Sequence, residues 1–222
     1  KSQWLEIRRD NPDYVVMWGW GVMNQVAIKE AGNINFPMDK FIGIWWAGSE
    51  NDVRPAGAAA NGYKAATFHG VGTDYPVFKD IEKYVKGPGK AAGDGKNIGT
   101  VLYNRGLYAA MLAVEAAATA QKMHNTKELT GAQMRDGMEN LKIDKARLEA
   151  LGLPNFAPEI NVSCANHGGP GLAAIQQWDA KEGKWKLITD FIASDREVID
   201  PLIAEDAAAF AKENNITPRE CK

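Results

Sequence analysis

Three short apolar runs, separated by helical and glycine-rich segments, constrain the fold of this chain more than any other feature. Residues 13–17 and 41–44 are rich in β-branched and aromatic side chains and have the length of strands. Between them, residues 22–31 place apolar side chains at helical spacing, and Gly32 follows as a candidate C-cap. A third strand-like run, residues 63–68, comes soon after. This succession of strands and helices predicts βαβ units and therefore a parallel sheet.

The remainder of the chain adds helices and a β-hairpin. Five further helices are predicted: over residues 77–85, over residues 99–122, from the Thr130–Gln133 capping box, over residues 144–151 and over residues 194–213, where Ser194 opens the capping sequence. Residues 172–178 and 185–190 flank a turn and predict the hairpin. The glycine- and lysine-rich residues 86–97 predict a loop at a lobe boundary. The result is a mixed α/β chain with a helical insertion between residues 98 and 160.

Composition excludes several classes of partner. Apolar residues make up 45% of the 222 residues and charged residues 24%, which is typical of a globular domain with a sizeable core. The net charge of −2 gives no basic footprint, so we expect no nucleic-acid partner. The apolar stretches are too short for membrane insertion. The chain begins with Lys1 rather than Met, which we interpret as a processed or truncated product.

Sequence motifs of catalysis are absent. The chain has no nucleophile elbow, phosphate loop, dinucleotide fingerprint or zinc-protease motif, so no cofactor is expected. His69 follows a strand and stays a candidate site residue. Glu50 and Asp52 are either an acid–base pair or, as we favour, a solvated loop beside Arg54. Cys164 has no second Cys/His pair to complete a zinc site, and no metal is expected.

Aromatic side chains are the concentrated signal. They follow strands or open a helix, and they are Trp18, Trp20, Trp45, Trp46, Phe68 and Tyr103. In open α/β sheets, ligands bind outside the carboxyl ends of the strands. A core would place tryptophans in the middle of strands instead. The pattern therefore predicts an aromatic wall for a flat or apolar ligand.

The cysteine count leaves two alternatives open. In a reducing compartment Cys164 and Cys221 would be two unrelated buried thiols. In an oxidising compartment they would form a single disulfide that fixes the C-terminus.

Several passages of this chain occur in the order found in one known family. These are Asn11-Pro12-Asp13-Tyr14-Val15-Val16, Lys40-Phe41-Ile42-Gly43, Pro55-Ala56-Gly57, Asn61-Gly62-Tyr63, Tyr103-Asn104-Arg105-Gly106-Leu107-Tyr108-Ala109-Ala110, Gln177-Trp178-Asp179 and Lys184-Trp185-Lys186. With them the chain resembles the type I periplasmic substrate-binding proteins of ABC transporters for branched-chain amino acids. The resemblance covers nearly the whole chain and rests on order and spacing.

The resemblance implies the type I periplasmic-binding-protein fold, with a three-layer αβα lobe and the returning helical part of a second lobe. Residues 1–97 and 171–222 would form the C-terminal lobe, incomplete at its start. Residues 98–170 would be the returning segment of the N-terminal lobe, whose remainder is not in this chain. Lobe closure would be a hinge motion near residues 97 and 171.

The resemblance also implies ligand contacts. Trp20 and Tyr103 match aromatic contacts of the family, and Trp45 stands where amino-acid binders carry the acidic residue that holds the ligand's ammonium. Glu50 is the alternative carboxylate. We therefore expect an aromatic or otherwise apolar acid, amide or amino-acid-like ligand. The expected ligand-binding residues are Trp20, Trp45, Trp46, Phe68, His69 and Tyr103.

The function implied is that of a solute-binding receptor of an ABC importer. It would capture a small molecule between two lobes and deliver it to a membrane permease. A ligand sensor or receptor domain on the same fold is the alternative, and an enzyme is not expected. A periplasmic location would favour the Cys164–Cys221 disulfide, whereas free thiols would count against that location.

Overall fold

The computed structural model of the protein describes residues 2–221. Its α-helices are α1 (Ser2–Asp10), α2 (Val22–Asn33), α3 (Glu50–Val53), α4 (Val77–Ile81), α5 (Val101–His124), α6 (Gly131–Glu139), α7 (Lys145–Ala150) and α8 (Arg196–Glu213). Its strands are β1 (Val15–Met17), β2 (Phe41–Gly43), β3 (Lys64–Thr67), β4 (Lys142–Ile143), β5 (Ile160–Asn161), β6 (Leu172–Asp179), β7 (Lys184–Leu187) and β8 (Ile192–Ala193). Three 3-10 segments (Met38–Lys40, Trp45–Ala47, Arg54–Ala60) and a π turn (Glu82–Lys86) complete the elements.

The chain forms two compact units. The first comprises the residues up to Met111, Lys145–Pro158 and Ala173–Phe191, and the second comprises Leu112–Asp144, Glu159–Leu172 and the residues from Ile192 on. These limits differ from the lobes expected from the sequence. The division near residues 97 and 171 stays a prediction for the two-lobed protein.

The first unit is built on a mixed sheet with the strand order β1-β2-β3-β6-β7. β1, β2 and β3 are parallel, as the βαβ pattern predicts, and β6 pairs antiparallel with both β3 and β7. The predicted hairpin is therefore correct, and it extends the parallel strands as an antiparallel edge. Because three parallel strands lie side by side, the residues that follow them meet at one edge of the sheet.

Five buried aromatic side chains pack against one another across one face of this sheet and form part of its core. The ring of Phe41 lies 4.9 Å from that of Tyr63, which lies 6.1 Å from Trp185. Trp178 packs at 5.4 Å from Trp185, and Trp4 of α1 contacts Phe41 at 5.1 Å. All five side chains are buried. Edge-to-face and tilted contacts of this kind add to the free energy gained by burial.

Gly32 does not end α2 as predicted, because the helix continues to Asn33. A Cβ atom at Gly32 would lie 2.6 Å from the Cβ of Ala59, which is closer than carbon atoms approach. The glycine is therefore needed for the close contact of α2 with the 3-10 segment Arg54–Ala60. The sequence pattern predicts a helix cap at Gly32, but close packing is the reason for glycine at this position.

The second unit fixes the C-terminal segment at two points. Cys164 and Cys221 form a disulfide, so that prediction is confirmed. The Arg219 guanidinium donates to both carboxylate oxygens of Glu139, at 2.6 and 2.7 Å, and these bonds lower the pKa of Glu139. His167 Nε2 lies 3.3 Å from the same carboxylate. A bidentate arginine and a disulfide therefore hold the last residues described.

No helix within residues 2–221 is both long enough and apolar enough to cross a membrane.

Candidate functional site

Four aromatic rings form a continuous row at the carboxyl ends of the parallel strands. Trp20 follows β1, Trp45 and Trp46 follow β2, and Phe68 follows β3 directly. Their ring centroids are 5.4 Å apart for Trp20–Trp46, 4.4 Å for Trp45–Trp46 and 5.3 Å for Trp45–Phe68. The order of the rings follows the order of the strands. We call these four side chains the aromatic row.

The aromatic row is open to solvent. Trp20 is 62% exposed, Trp46 39% and Phe68 40%, whereas Trp45 between them is partly buried. Contiguous exposed aromatic side chains are uncommon on a protein surface and indicate a binding surface. Four of the six predicted site residues therefore lie together.

The 3-10 turn Trp45–Ala47 that carries two of these rings is held by three side chains. Each of its carbonyl oxygens accepts a hydrogen bond from a different part of the first unit. The donors are Arg105 Nη2 to Trp45 (2.7 Å), Asn24 Nδ2 to Trp46 (2.9 Å) and the Tyr63 hydroxyl to Ala47 (3.0 Å). A turn with all three carbonyl groups occupied presents its tryptophans in a fixed position.

The segment after the turn is folded and buried, so our interpretation of Glu50 and Asp52 as a solvated loop is wrong. Asp52 accepts hydrogen bonds from the backbone N–H of Ser49 at 2.8 Å and from its hydroxyl at 2.7 Å, as part of a capping box on α3. Asn24 Nδ2 donates to the other oxygen of Asp52 at 3.1 Å. The carboxylate of Asp52 is engaged within the fold.

Glu50 caps a helix that begins 51 residues later in the chain. Its two carboxylate oxygens lie 3.1 and 3.3 Å from the backbone nitrogen of Val101, the first residue of α5. Burial raises the pKa of Glu50, and the hydrogen bond from Val101 opposes that shift. A carboxylate at a helix N-terminus is also favoured by the helix dipole. Glu50 therefore connects the loop after β2 to α5.

His69 lies beneath the surface instead of joining the row. It is 2% exposed, its ring stacks on Phe156 at 5.7 Å, and its Nδ1 lies 3.0 Å from the carbonyl oxygen of Gly70. Burial lowers the pKa of His69 to about 4, and the charge of Arg105 acts in the same direction. The imidazole is therefore neutral at pH 7.

Tyr103 also lies apart from the aromatic row. Its ring contacts Phe78 at 6.3 Å and lines a small cleft of about 270 Å³ together with Glu50 and Thr100. Its assignment as a ligand contact stays a prediction from the family resemblance.

Arg105 is the residue that sequence reasoning missed. It lies in the second turn of α5, partly buried, with its guanidinium on the carbonyl oxygen of Trp45. Burial lowers its pKa, and the nearby Asp52 opposes the shift. The sequence did contain a signal. A positive charge near a helix N-terminus is unfavourable, so an arginine at this position indicates a compensating interaction elsewhere.

No group of three or more His, Cys, Asp or Glu side chains suited to a metal ion occurs in the described part of the chain. The chemistry that this surface offers is therefore π faces, backbone groups and one guanidinium.

Comparison with known proteins gives the family. A family model described as periplasmic binding protein matches residues 1–184. A protein of the Pseudomonas fluorescens group, whose crystal structure is described as that of an ABC transporter permease, is 45% identical. That similarity covers 100% of this chain and 53% of the other, with a TM-score of 0.92. No curated protein sequence matches significantly.

Two more distant structures share the fold. A branched-chain amino acid ABC transporter protein from Thermus thermophilus with bound valine is 22% identical over 89% of this chain and 50% of its own, with a TM-score of 0.68. A solute-binding protein of an ABC transporter from R. palustris in complex with benzoate is 17% identical over 88% and 48%, with a TM-score of 0.55. The chain spans about half the length of these structures.

These matches confirm the predicted α/β fold class and the resemblance. Members of the family bind solutes and are not enzymes. The chain belongs to the periplasmic binding proteins, in the type I group that includes the leucine and branched-chain amino acid ABC transporter proteins.

Proposed function

We propose that this protein is part of a solute-binding receptor of an ABC importer, and that it captures a small ligand with an aromatic or other apolar portion. One observation carries the proposal. Four aromatic side chains form a continuous, largely exposed row at the carboxyl ends of three adjacent parallel strands. This is the edge at which open α/β sheets bind ligands.

The energetics of the row support an apolar ligand. Aromatic side chains that stay exposed contribute little to the stability of the fold, since their faces remain in water. A flat ligand that covers them buries this remaining apolar surface and gains roughly 25 cal/mol for each Å² removed from water. Offset or edge-to-face contacts with the ligand add about 0.5–1.5 kcal/mol for each ring pair.

Family membership supports capture for transport, with delivery to a membrane permease as the next step. The two distant relatives carry valine and benzoate, each a small molecule with one apolar portion. The Cys164–Cys221 disulfide supports an oxidising compartment, which in this family is the periplasm. A cytoplasmic sensor would not be expected to keep that disulfide.

The test is ligand binding by the intact protein and by Trp45→Ala. A thermal-shift screen of amino acids, aromatic acids and amides identifies a ligand, and calorimetric titration then gives its Kd. Because Trp45 contacts both Trp46 and Phe68, we expect its loss to weaken binding by at least about tenfold, or roughly 1.4 kcal/mol.

Tyr84→Ala is the matched control. Tyr84 is an exposed aromatic residue of the same unit, beside Lys83 and outside the aromatic row. Its replacement should leave the Kd unchanged. An unchanged Kd in Trp45→Ala, or equal losses in both variants, would refute the proposed ligand site.

A further inference from the structure

The guanidinium of Arg105 is held against the backbone of the aromatic row. Its Nη2 donates to the carbonyl oxygen of Trp45 at 2.7 Å, and Trp45 is one of the two inner residues of the row. The bond spans 60 residues of sequence and connects α5 to the turn after β2. The same arginine lies close enough to His69 for its charge to lower the pKa of that imidazole. Arg105 therefore lies against the turn after β2, and its charge acts on His69 after β3.

Arg105 has no carboxylate within ion-pair distance among residues 2–221. The acidic residue nearest in its electrostatic influence is Asp52, whose oxygens already accept from Ser49 and Asn24. A guanidinium has five N–H donors, and the bond to Trp45 uses one of them. A bound carboxylate could accept from the other donors, and partial burial strengthens a charge-assisted hydrogen bond of this kind.

We propose that Arg105 is the anion-binding residue of the aromatic row and that the ligand is an aromatic carboxylate without an amino group. This inference rests on the proposed function, because it names the ligand class of the same site. The planar fork of arginine matches a carboxylate and can donate to both of its oxygens. One arginine beside a neutral His69 also matches the single charge of a carboxylate better than the double charge of a phosphate ester.

The same surroundings disfavour a ligand ammonium. Asp52 is engaged in the capping box, and Glu50 is engaged at the N-terminus of α5. The aromatic row itself contains no carboxylate. An α-ammonium placed here would lose its hydration and face the positive charge of Arg105.

Matched ligands test the charge preference without changing the protein. Calorimetric titrations of the intact protein compare 3-phenylpropanoate with 3-phenylpropanamide, which lacks the charge, and with L-phenylalanine, which adds an ammonium. Benzoate and benzamide form a second pair with a shorter reach. A charge-assisted bond predicts that at least one acid binds about tenfold or more tightly than its amide. L-Phenylalanine should bind more weakly than 3-phenylpropanoate.

Variants then assign the preference to Arg105. In Arg105→Met the ratio of acid to amide affinity should fall below about threefold, whereas Arg105→Lys should keep part of it, because lysine retains the charge but not the fork. The ratio is informative even if loss of the bond to Trp45 weakens all ligands equally. Arg9→Met is the matched control, since Arg9 is an exposed arginine of α1 paired with Asp10, and it should leave the ratio unchanged.

The outcomes separate this inference from the proposed function. Amides that bind as tightly as their acids, or a ratio that survives Arg105→Met, would overturn the role of Arg105. If binding is still lost in Trp45→Ala, the proposed function stands. If the intact protein binds none of the five aromatic compounds, both the inference and the aromatic ligand site are wrong.

Discussion

Replacement of His69 should remove a large part of the protein's sensitivity to mild acid. The imidazole is 2% exposed and stacks nearly parallel on Phe156, with ring centroids 5.7 Å apart. Its Nδ1 lies 3.0 Å from the carbonyl oxygen of Gly70, which indicates the neutral tautomer with the proton on Nδ1. Burial lowers the pKa of His69 from 6.5 to about 4.

The direction of the effect follows from proton linkage. The folded pKa is below the unfolded pKa, so the unfolded chain takes up a proton first as the pH falls. The contribution of His69 to the free energy of unfolding is therefore lost as the pH falls from 6.5 to about 4. From these two pKa values the loss is about 2 kcal/mol between pH 7.5 and pH 5, and about 3 kcal/mol once both states are protonated.

Urea unfolding at a series of pH values, followed by tryptophan fluorescence, measures this effect. His69→Asn keeps an N–H donor for Gly70 but cannot titrate, so it should be less stable at pH 7.5 and lose less stability on acidification. The other titrating groups are common to both proteins, and the difference between their pH profiles isolates His69. Phe156→Leu is the control, because it disturbs the same ring stack but retains the imidazole. Parallel pH profiles for wild type and His69→Asn would refute the reasoning.

Two further predictions concern the second unit. Replacing both Cys164 and Cys221 by serine opens a loop with a sequence separation of 57 residues, and should lower the free energy of unfolding by about 4 kcal/mol. The urea midpoint measures the loss, dithiothreitol should then have no further effect, and an unchanged midpoint would contradict the prediction. Gly137→Ala should cost about 1–3 kcal/mol, because its Cβ would meet the carbonyl oxygen of Ala116 and lie 2.7 Å from the Cβ of Ala120. Gly131→Ala in the same helix meets nothing within 4 Å and should be neutral or stabilising, so equal losses in both variants would argue against close helix packing at Gly137.

Features set by neighbours in sequence could be predicted. The Thr130–Gln133 capping box is present, because its two partners are three residues apart. The parallel order of β1, β2 and β3 follows from strands separated by helical segments. The cap of α8 lies one residue later than the sequence predicts, since Asp195 rather than Ser194 accepts from the N–H of Val198.

Features set by partners that are distant in sequence could not be predicted. Glu50 is next to Asn51 and near Arg54 in sequence, which suggests a solvated loop, but its partner is the N–H of Val101. Arg105 is 60 residues from Trp45, and no local pattern connects the two. His69 follows a strand like Phe68, yet the alternation of side chains turns one outward and the other inward.

Two connections join the loop after β2 to α5: the carboxylate of Glu50 on Val101, and the guanidinium of Arg105 on Trp45. The rings of Trp45 and Trp46 and the guanidinium of Arg105 are thus held at a fixed spacing in the absence of ligand. Affinity on such a surface is gained without the entropy cost of ordering the side chains. Substitutions at the exposed ends of the row, Trp20 and Phe68, could therefore change the preferred size of the ligand and yield a biosensor for larger or smaller acids. The two connections between the loop and α5 would stay intact.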